Sequence, residues 1–187
     1  MKRYFLLLLM ASPVFFASAQ DNRMPYFTKS LTGDGVKAVF AKTSGGSISV
    51  SGAAGEPARI EVYVVGNNNK DYGKEEIKKR LEEDYILDID VQNGELRVSA
   101  KNRRNNINWR RSLSIGFKIY VNKQTATNLN TSGGSIHLDN LTGSQNFSTS
   151  GGSLHLDQLT GVIALITVSF QSVKAALMNP VKSLRSE

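Results

Sequence analysis

The sequence predicts an all-β protein that forms a short β-solenoid with coils of 18 residues. Residues 131–143 (TSGGSIHLDNLTG) return almost unchanged as residues 149–161 (TSGGSLHLDQLTG), 18 positions later. A repeat of fixed short period is typical of solenoids, in which each coil stacks on the coil before it. Within each copy apolar and polar residues alternate, which indicates a strand that buries one face.

The apolar residues of each copy are expected to point into the coil. Ile136 and Leu138 form the inner pair of one copy, and Leu154 and Leu156 repeat them in the next. A second inward face recurs at the same period. Its residues are Leu129, Phe147 and Leu165.

A glycine pair separates the two inward faces of each copy, at positions 133–134 and 151–152. We expect these glycines to turn the chain through positive φ values, which glycine adopts at low steric cost. An earlier TSGGS motif at residues 43–47 predicts a first coil before the other two.

The segment between the first and second motifs follows a different pattern. Residues 59–65 and 113–121 alternate between apolar and polar, which predicts two further strands. Residues 74–84 are highly charged and place Ile77 four positions before Leu81. This spacing predicts one short amphipathic helix.

A β-hairpin is expected within the same inserted segment. Residues 86–91 and 95–100 alternate on either side of Asn93-Gly94. Asn-Gly between two alternating runs is the strongest short hairpin signal. Residues 101–111 then form a polar, basic loop.

The chain is expected to consist of a leader, one domain and an atypical tail. Residues 1–19 combine a positive start, an apolar run and the sequence Ala-Ser-Ala, which predicts a secretory signal peptide cleaved before Gln20. Residues 20–166 form a single β-solenoid domain. Residues 167–187 lose the repeat and are either a cap or the product of a truncation.

Composition excludes several classes of protein. The chain has no cysteine, which excludes disulfides, thiolate metal sites and attachment through a lipid-modified cysteine. No second apolar run is long enough to span a membrane after the leader is removed. The predicted location is therefore the periplasm, the outer surface or the medium, where nucleic acid is not an expected partner.

The TSGGS repeats that follow a signal peptide resemble the bacterial putative-adhesin domain family, exported β-solenoid proteins common in Bacteroidota envelopes. The resemblance covers roughly residues 30 to 166. It implies a part with a hairpin followed by stacked Gly-Gly-Ser rungs, and it implies no catalytic residue. The C-terminus departs from this pattern, since further rungs would be expected there.

The duplicated histidines and aspartates are the candidates for metal ligands. They are His137, His155, Asp139 and Asp157. Two imidazoles and two carboxylates on one face can bind zinc. A flat outer ladder lacks the convergence of a metal site, however, and the first copy has Ser49 and Ser51 at these positions. We therefore predict no metal and no cofactor.

The hydroxyl side chains of the repeats, such as Thr131 and Thr149, would form ladders between stacked coils. One interpretation is a face that binds a sugar or a partner. The other is ordinary strand and turn chemistry, because threonine favours strands and serine favours turns. The sequence favours the second interpretation.

The densest charge marks the candidate surface for binding polyanions. Its residues are Lys101, Arg103, Arg104, Trp109, Arg110 and Arg111. Such groups bind the phosphates of lipopolysaccharide or the carboxylates of acidic glycans. The alternative is a solvated loop whose tryptophan closes over the edge of the core.

These patterns predict an exported adhesin-like protein of the cell envelope, with an interaction or structural role and no enzymatic activity. It would act through the solenoid surface on an envelope or host polysaccharide or on a surface protein. One alternative is a glycan-binding or polysaccharide-active β-helix protein, although no opposed pair of carboxylates is evident. Another is a truncated copy without function.

Overall fold

The computed structural model describes residues 24–53, 55–67, 70–104 and 109–168, and within them the protein is all-β with one short helix. The strands form two mixed sheets of six strands each. In sheet order, the first sheet contains β1 (Phe27–Ser30), β4 (Arg59–Gly66), β7 (Leu113–Val121), β3 (Ile48–Gly52), β9 (Ile136–Asp139) and β11 (Leu154–Asp157). The second contains β12 (Ile163–Val168), β10 (Gln145–Thr149), β8 (Ala126–Thr131), β2 (Ala38–Thr43), β6 (Glu95–Asn102) and β5 (Tyr85–Gln92).

The later two motif copies pair with each other in parallel. Thr127 of β8 lies opposite Gln145 of β10, and Ile136 of β9 lies opposite Leu154 of β11. The offset between these partners is 18 residues, which is also the spacing of the two motifs. Each copy therefore contributes one strand to each sheet, and we call such a pair of strands with its corner a rung.

The first motif copy lies next to the second in space. Ile48 of β3 pairs with Ile136 of β9, and Ala38 of β2 pairs with Ala126 of β8. On their other sides β3 pairs with β7 and β2 pairs with β6. The inserted segment therefore stacks on the far side of the first rung and does not separate the three motifs.

The hairpin predicted around Asn93-Gly94 is confirmed. Strands β5 and β6 pair antiparallel, and Asn93 and Gly94 have φ values of 53° and 76°. Two positive φ values suit a two-residue hairpin turn. Strand β6 continues to Asn102, so Lys101 belongs to a strand and not to the predicted loop.

The predicted helix is confirmed as α1, Lys74–Asp84. It buries Ile77 and packs against β5, which follows it directly. Tyr85, the first residue of β5, is buried, and its hydroxyl accepts a hydrogen bond from the backbone N–H of Leu113 at 2.6 Å. This bond ties the hairpin to the first sheet.

The core lies between the two sheets, where alternate residues of the strands are buried. Ile136, Leu138, Leu129 and Phe147 are at most 2% exposed, as their alternation predicts. Leu156 does not follow the prediction, because it is 41% exposed. Its strand β11 has a neighbour on one side only among the described residues. The side chain of Leu165 lies outside the described part.

The motif glycines have a different role from the one expected. None of the glycines at 133, 134, 151 and 152 has a positive φ. Instead, a Cβ atom on the second glycine of each pair would overlap the backbone of the neighbouring rung. At Gly134 the overlap is with the carbonyl oxygen of Gly46, and at Gly152 it is with that of Gly134. Glycine is needed because two backbones touch there.

Candidate functional site

The first threonine of each motif is part of the scaffold. Thr43, Thr131 and Thr149 are at most 3% exposed. Each hydroxyl donates a hydrogen bond to a backbone carbonyl of the neighbouring strand or motif corner. The acceptors are Ile115 at 2.8 Å, Gly46 at 2.9 Å and Gly134 at 2.8 Å. These threonine hydroxyls are therefore buried and bonded within the fold. This agrees with the interpretation that they serve strand and turn structure.

The duplicated histidines and aspartates lie on the outer face of the first sheet. His137 pairs with His155 in register, and Asp139 pairs with Asp157. The two imidazole rings stack with centroids 4.5 Å apart and planes 10° from parallel. Partial burial of the His137 ring lowers its pKa, and the adjacent His155 lowers that pKa further.

This arrangement brings the faces of the two rings together. Within the described ranges, no group of three or more His, Cys, Asp or Glu side chains is placed to hold a metal ion. The absence of a metal site at His137, His155, Asp139 and Asp157 stays a prediction of the sequence.

We predict that the protein loses stability in mild acid because His137 is stacked on His155. The folded pKa of His137 lies below its unfolded value of about 6.5, so the unfolded chain takes up the proton first as the pH falls. The contribution of neutral His137 to the free energy of unfolding is therefore fully present above about pH 6.5. It is lost as the pH falls through the folded pKa. Urea unfolding at about pH 7.5 and about pH 5.5 measures the decline.

Two matched variants test whether His137 causes this pH dependence of the free energy of unfolding. His137→Ser introduces the residue that Ser49 already supplies in register on β3, and it should reduce the decline. Asp139→Asn removes a neighbouring carboxylate and keeps both rings, so the decline should persist. An undiminished decline in His137→Ser would contradict the assignment.

The structure divides the basic segment into separate parts. Lys101, Arg103 and Arg104 are exposed at and just beyond the end of β6. Arg110 and Arg111 belong to a short 3-10 helix, Trp109–Arg111. The side chain of Trp109 lies outside the described part. The predicted cluster is therefore not one continuous loop.

Arg111 is held by helix α1. Its guanidinium lies 2.8 Å from a carboxylate oxygen of Glu83 and 3.6 Å from one of Asp84. Its backbone carbonyl accepts a hydrogen bond from Arg80 at 3.3 Å. These contacts fix the 3-10 helix against α1, and they direct the charge of Arg111 toward the protein's own carboxylates.

A polar network covers the other end of the outer face of the first sheet. The guanidinium of Arg59 lies 3.7 Å from the ring centroid of Tyr120 and donates to Glu61 at 2.9 Å. Tyr63 donates to the same carboxylate at 2.8 Å. Burial opposes ionisation of Glu61, but the hydrogen bonds from Arg59 and Tyr63 hold its pKa below the usual value. This network is satisfied internally.

Sequence reasoning missed a groove on the outer face of the second sheet. Its lining side chains come from strands β5, β6, β2 and β8. Those that face outward are Asp88, Arg97, Ser99, Phe40, Lys42, Asn128 and Asn130, and the buried Ala41 and Val98 also line the groove. The signal was present in the polar positions that alternate with buried ones in these strands. It could not be assembled without knowing which strands are neighbours.

No helix in the described part of the chain is both long and apolar enough to cross a membrane. No family model matches the chain, and no curated protein matches it significantly.

Two solved structures are similar to parts of the chain. One is a putative cell adhesion protein from Clostridium sporogenes, with 12% identity, a TM-score of 0.40, and coverage of 71% of this chain and 60% of that one. The other is a putative adhesin from Bacteroides fragilis, with 15% identity, a TM-score of 0.35, and coverage of 76% and 62%. The chain spans less than two thirds of the length of either.

Proposed function

We propose that this chain is an exported, adhesin-like interaction module that acts through the outer faces of a short β-solenoid and catalyses no reaction. The observation that carries the proposal is the arrangement of polar side chains in register across strands whose opposite faces fill the core. On the outer face of the second sheet, Phe40 and Lys42 of β2 lie opposite Asn128 and Asn130 of β8. Such a surface presents many weak polar contacts over an extended area.

The stacked rungs support the solenoid part of the proposal. Strands β8 and β10 and strands β9 and β11 pair in parallel at the period of the sequence repeat. Buried threonines bond from rung to rung at each corner. Solenoids of this kind are commonly used for their extended surfaces.

The arrangement of the carboxylates supports a role without catalysis. Asp139 and Asp157 lie side by side on parallel strands and face the same way. A glycosidase needs two carboxyl groups on opposite sides of the bond that it cleaves. The proposal of export rests on residues 1–19, which lie outside the described part.

The test is to express the chain with its own leader and to study the protein that is released. Its binding to immobilised envelope polysaccharides and host acidic glycans is measured alongside the release of new reducing ends. We expect saturable binding to at least one polymer and no product. Product release would overturn the non-catalytic role, and a folded protein that binds nothing would overturn the interaction role.

Two variants locate the contribution of the basic segment. Arg103→Gln with Arg104→Gln removes two exposed charges, and we expect it to weaken the binding of an acidic polymer. Arg111→Gln is the control, because that side chain is engaged by Glu83. It should change affinity little and lower the free energy of unfolding by about 1 kcal/mol or less, as exposed ion pairs do.

A further inference from the structure

We infer that the groove on the outer face of the second sheet is a binding site for a carboxylate-bearing polysaccharide. This inference rests on the proposed interaction function and names its site and ligand class. The strands that line the groove meet there from four parts of the chain, β2, β5, β6 and β8. None of the side chains that these strands place in the groove belongs to the corners that contain the motif glycines.

Two rows of outward-facing side chains run in register across the strands that line the groove. In the first row, Asp90 lies opposite Arg97, Arg97 opposite Phe40, and Phe40 opposite Asn128. In the second row, Asp88, Ser99, Lys42 and Asn130 follow each other in the same way. Adjacent strands are about 4.8 Å apart, which is close to the length of one pyranose unit. A sugar chain that crosses the strands can thus meet one set of side chains per unit.

The chemistry of the groove suits a polyol. The amides of Asn128 and Asn130 are exposed, and each can both donate and accept hydrogen bonds. The half-buried ring of Phe40 supplies an apolar surface for the C–H face of a sugar. Ligand sites combine apolar or aromatic surface with a few polar groups that fix the orientation of the ligand.

The charge of the groove favours an acidic sugar. Lys42 is exposed, and no side-chain ion pair joins it to any residue of the described part. Arg97 lies 5.0 Å from the Phe40 ring centroid and shares its charge with Glu95 at 2.7 Å. Lys101, four positions beyond Arg97 on the same face of β6, extends the positive charge toward Arg103. Asp88 and Asp90 of β5 lie two strands away from Lys42 and Phe40 in the same rows, so the negative charge stands on one side of the groove. A carboxylate meets complementary charge on the other side, at Lys42.

A peptide is the less suitable occupant. Extended peptides usually bind by adding a strand to an open edge of a sheet. Strands β2, β6 and β8 each have a neighbour on both sides, so their backbone groups are already paired. The groove therefore offers side chains and no backbone ladder, which favours recognition of hydroxyl and carboxylate groups.

The test uses polygalacturonate and its methyl-esterified form, which differ in charge and share the same sugar chain. The exported protein should bind polygalacturonate, and the methyl ester should bind at least about tenfold more weakly because it loses the charge-assisted hydrogen bonds to the carboxylate. Lys42→Gln and Phe40→Leu should each weaken binding of polygalacturonate severalfold. Lys118→Gln, on the outer face of the first sheet, is the matched control and should not.

The outcomes separate this site from the proposed function. If the protein binds only polymers of the panel that carry no carboxylate, the interaction function stands and the ligand class assigned here is wrong. If Lys118→Gln weakens binding as much as Lys42→Gln, the site is not the groove. Equal binding of the methyl ester overturns the role of the carboxylate. If no polymer binds at all, the proposed function fails together with the inference.

Discussion

Gly134→Ala should destabilise the protein by about 3 kcal/mol or more, because overpacking against rigid backbone lies at the upper end of single-residue effects. The new Cβ atom would overlap the carbonyl oxygen, the carbonyl carbon and the next nitrogen of the chain at Gly46. These are backbone atoms in a buried corner, and they cannot rotate away as a side chain can. Urea or guanidinium unfolding measures the loss.

The adjacent glycine provides the control. A Cβ atom on Gly133 would meet nothing closer than the carbonyl oxygen of Ser44 at 3.7 Å, which is an ordinary contact. Gly133 is exposed and its φ is not positive. Gly133→Ala should therefore change stability by less than about 1 kcal/mol. Equal losses in the two variants would show that the close approach of the rungs is not what requires glycine.

Thr131→Val should destabilise the protein by about 2–4 kcal/mol, since each buried polar group left without a partner costs about 1–3 kcal/mol. The Thr131 hydroxyl donates to the Gly46 carbonyl at 2.9 Å and accepts from the backbone N–H of Gly134 at 3.1 Å. Valine fills nearly the same volume, so packing is preserved while both bonds are lost. Denaturant unfolding monitored by circular dichroism measures the change.

Thr142→Val is the corresponding control on the surface. The Thr142 hydroxyl donates to the carbonyl of Lys123 at 3.2 Å in an exposed setting. The backbone N–H of Thr142 also donates to that carbonyl, at 2.8 Å, and water can replace the hydroxyl. The expected loss is below about 1 kcal/mol. A loss at Thr142 as large as that at Thr131 would contradict the assigned role of the corner hydroxyls.

Local signals in the sequence predicted the elements well. The Asn93-Gly94 pair identified the hairpin because two positive φ values are accessible to those residues. The alternation of residues 113–121 and the spacing of Ile77 and Leu81 identified β7 and α1. In each case the determining interactions lie within a few residues of one another.

The role of the glycines could not be derived in the same way. The sequence shows that Gly134 stands in a repeated corner, but the atom that excludes a side chain belongs to Gly46, 88 positions earlier. Nothing local distinguishes a glycine needed for a turn from one needed for a close approach. The exposure of Leu156 could not be predicted for a related reason. It depends on the position of β11 in its sheet and not on the alternation of apolar and polar residues.

The candidate site was predictable only in part. The basic segment was visible as a run of charge, yet the engagement of Arg111 by Glu83 depends on where α1 packs. The groove depends on strand order. Lys42 and Asn130 are 88 residues apart in the sequence and directly opposite in the sheet. A surface that is assembled across strands carries no contiguous motif.

The position of the first rung has a consequence for how the chain acquires its structure. Strands β2 and β3 are synthesised early, but both of their neighbours in each sheet come from residues 95–139. Until those residues leave the ribosome, the first rung has no partner on either side. Pairing between distant segments is slow, because the chain must close long loops before the contacts form. The first rung is therefore paired on both sides only after the chain has been synthesised to about residue 139.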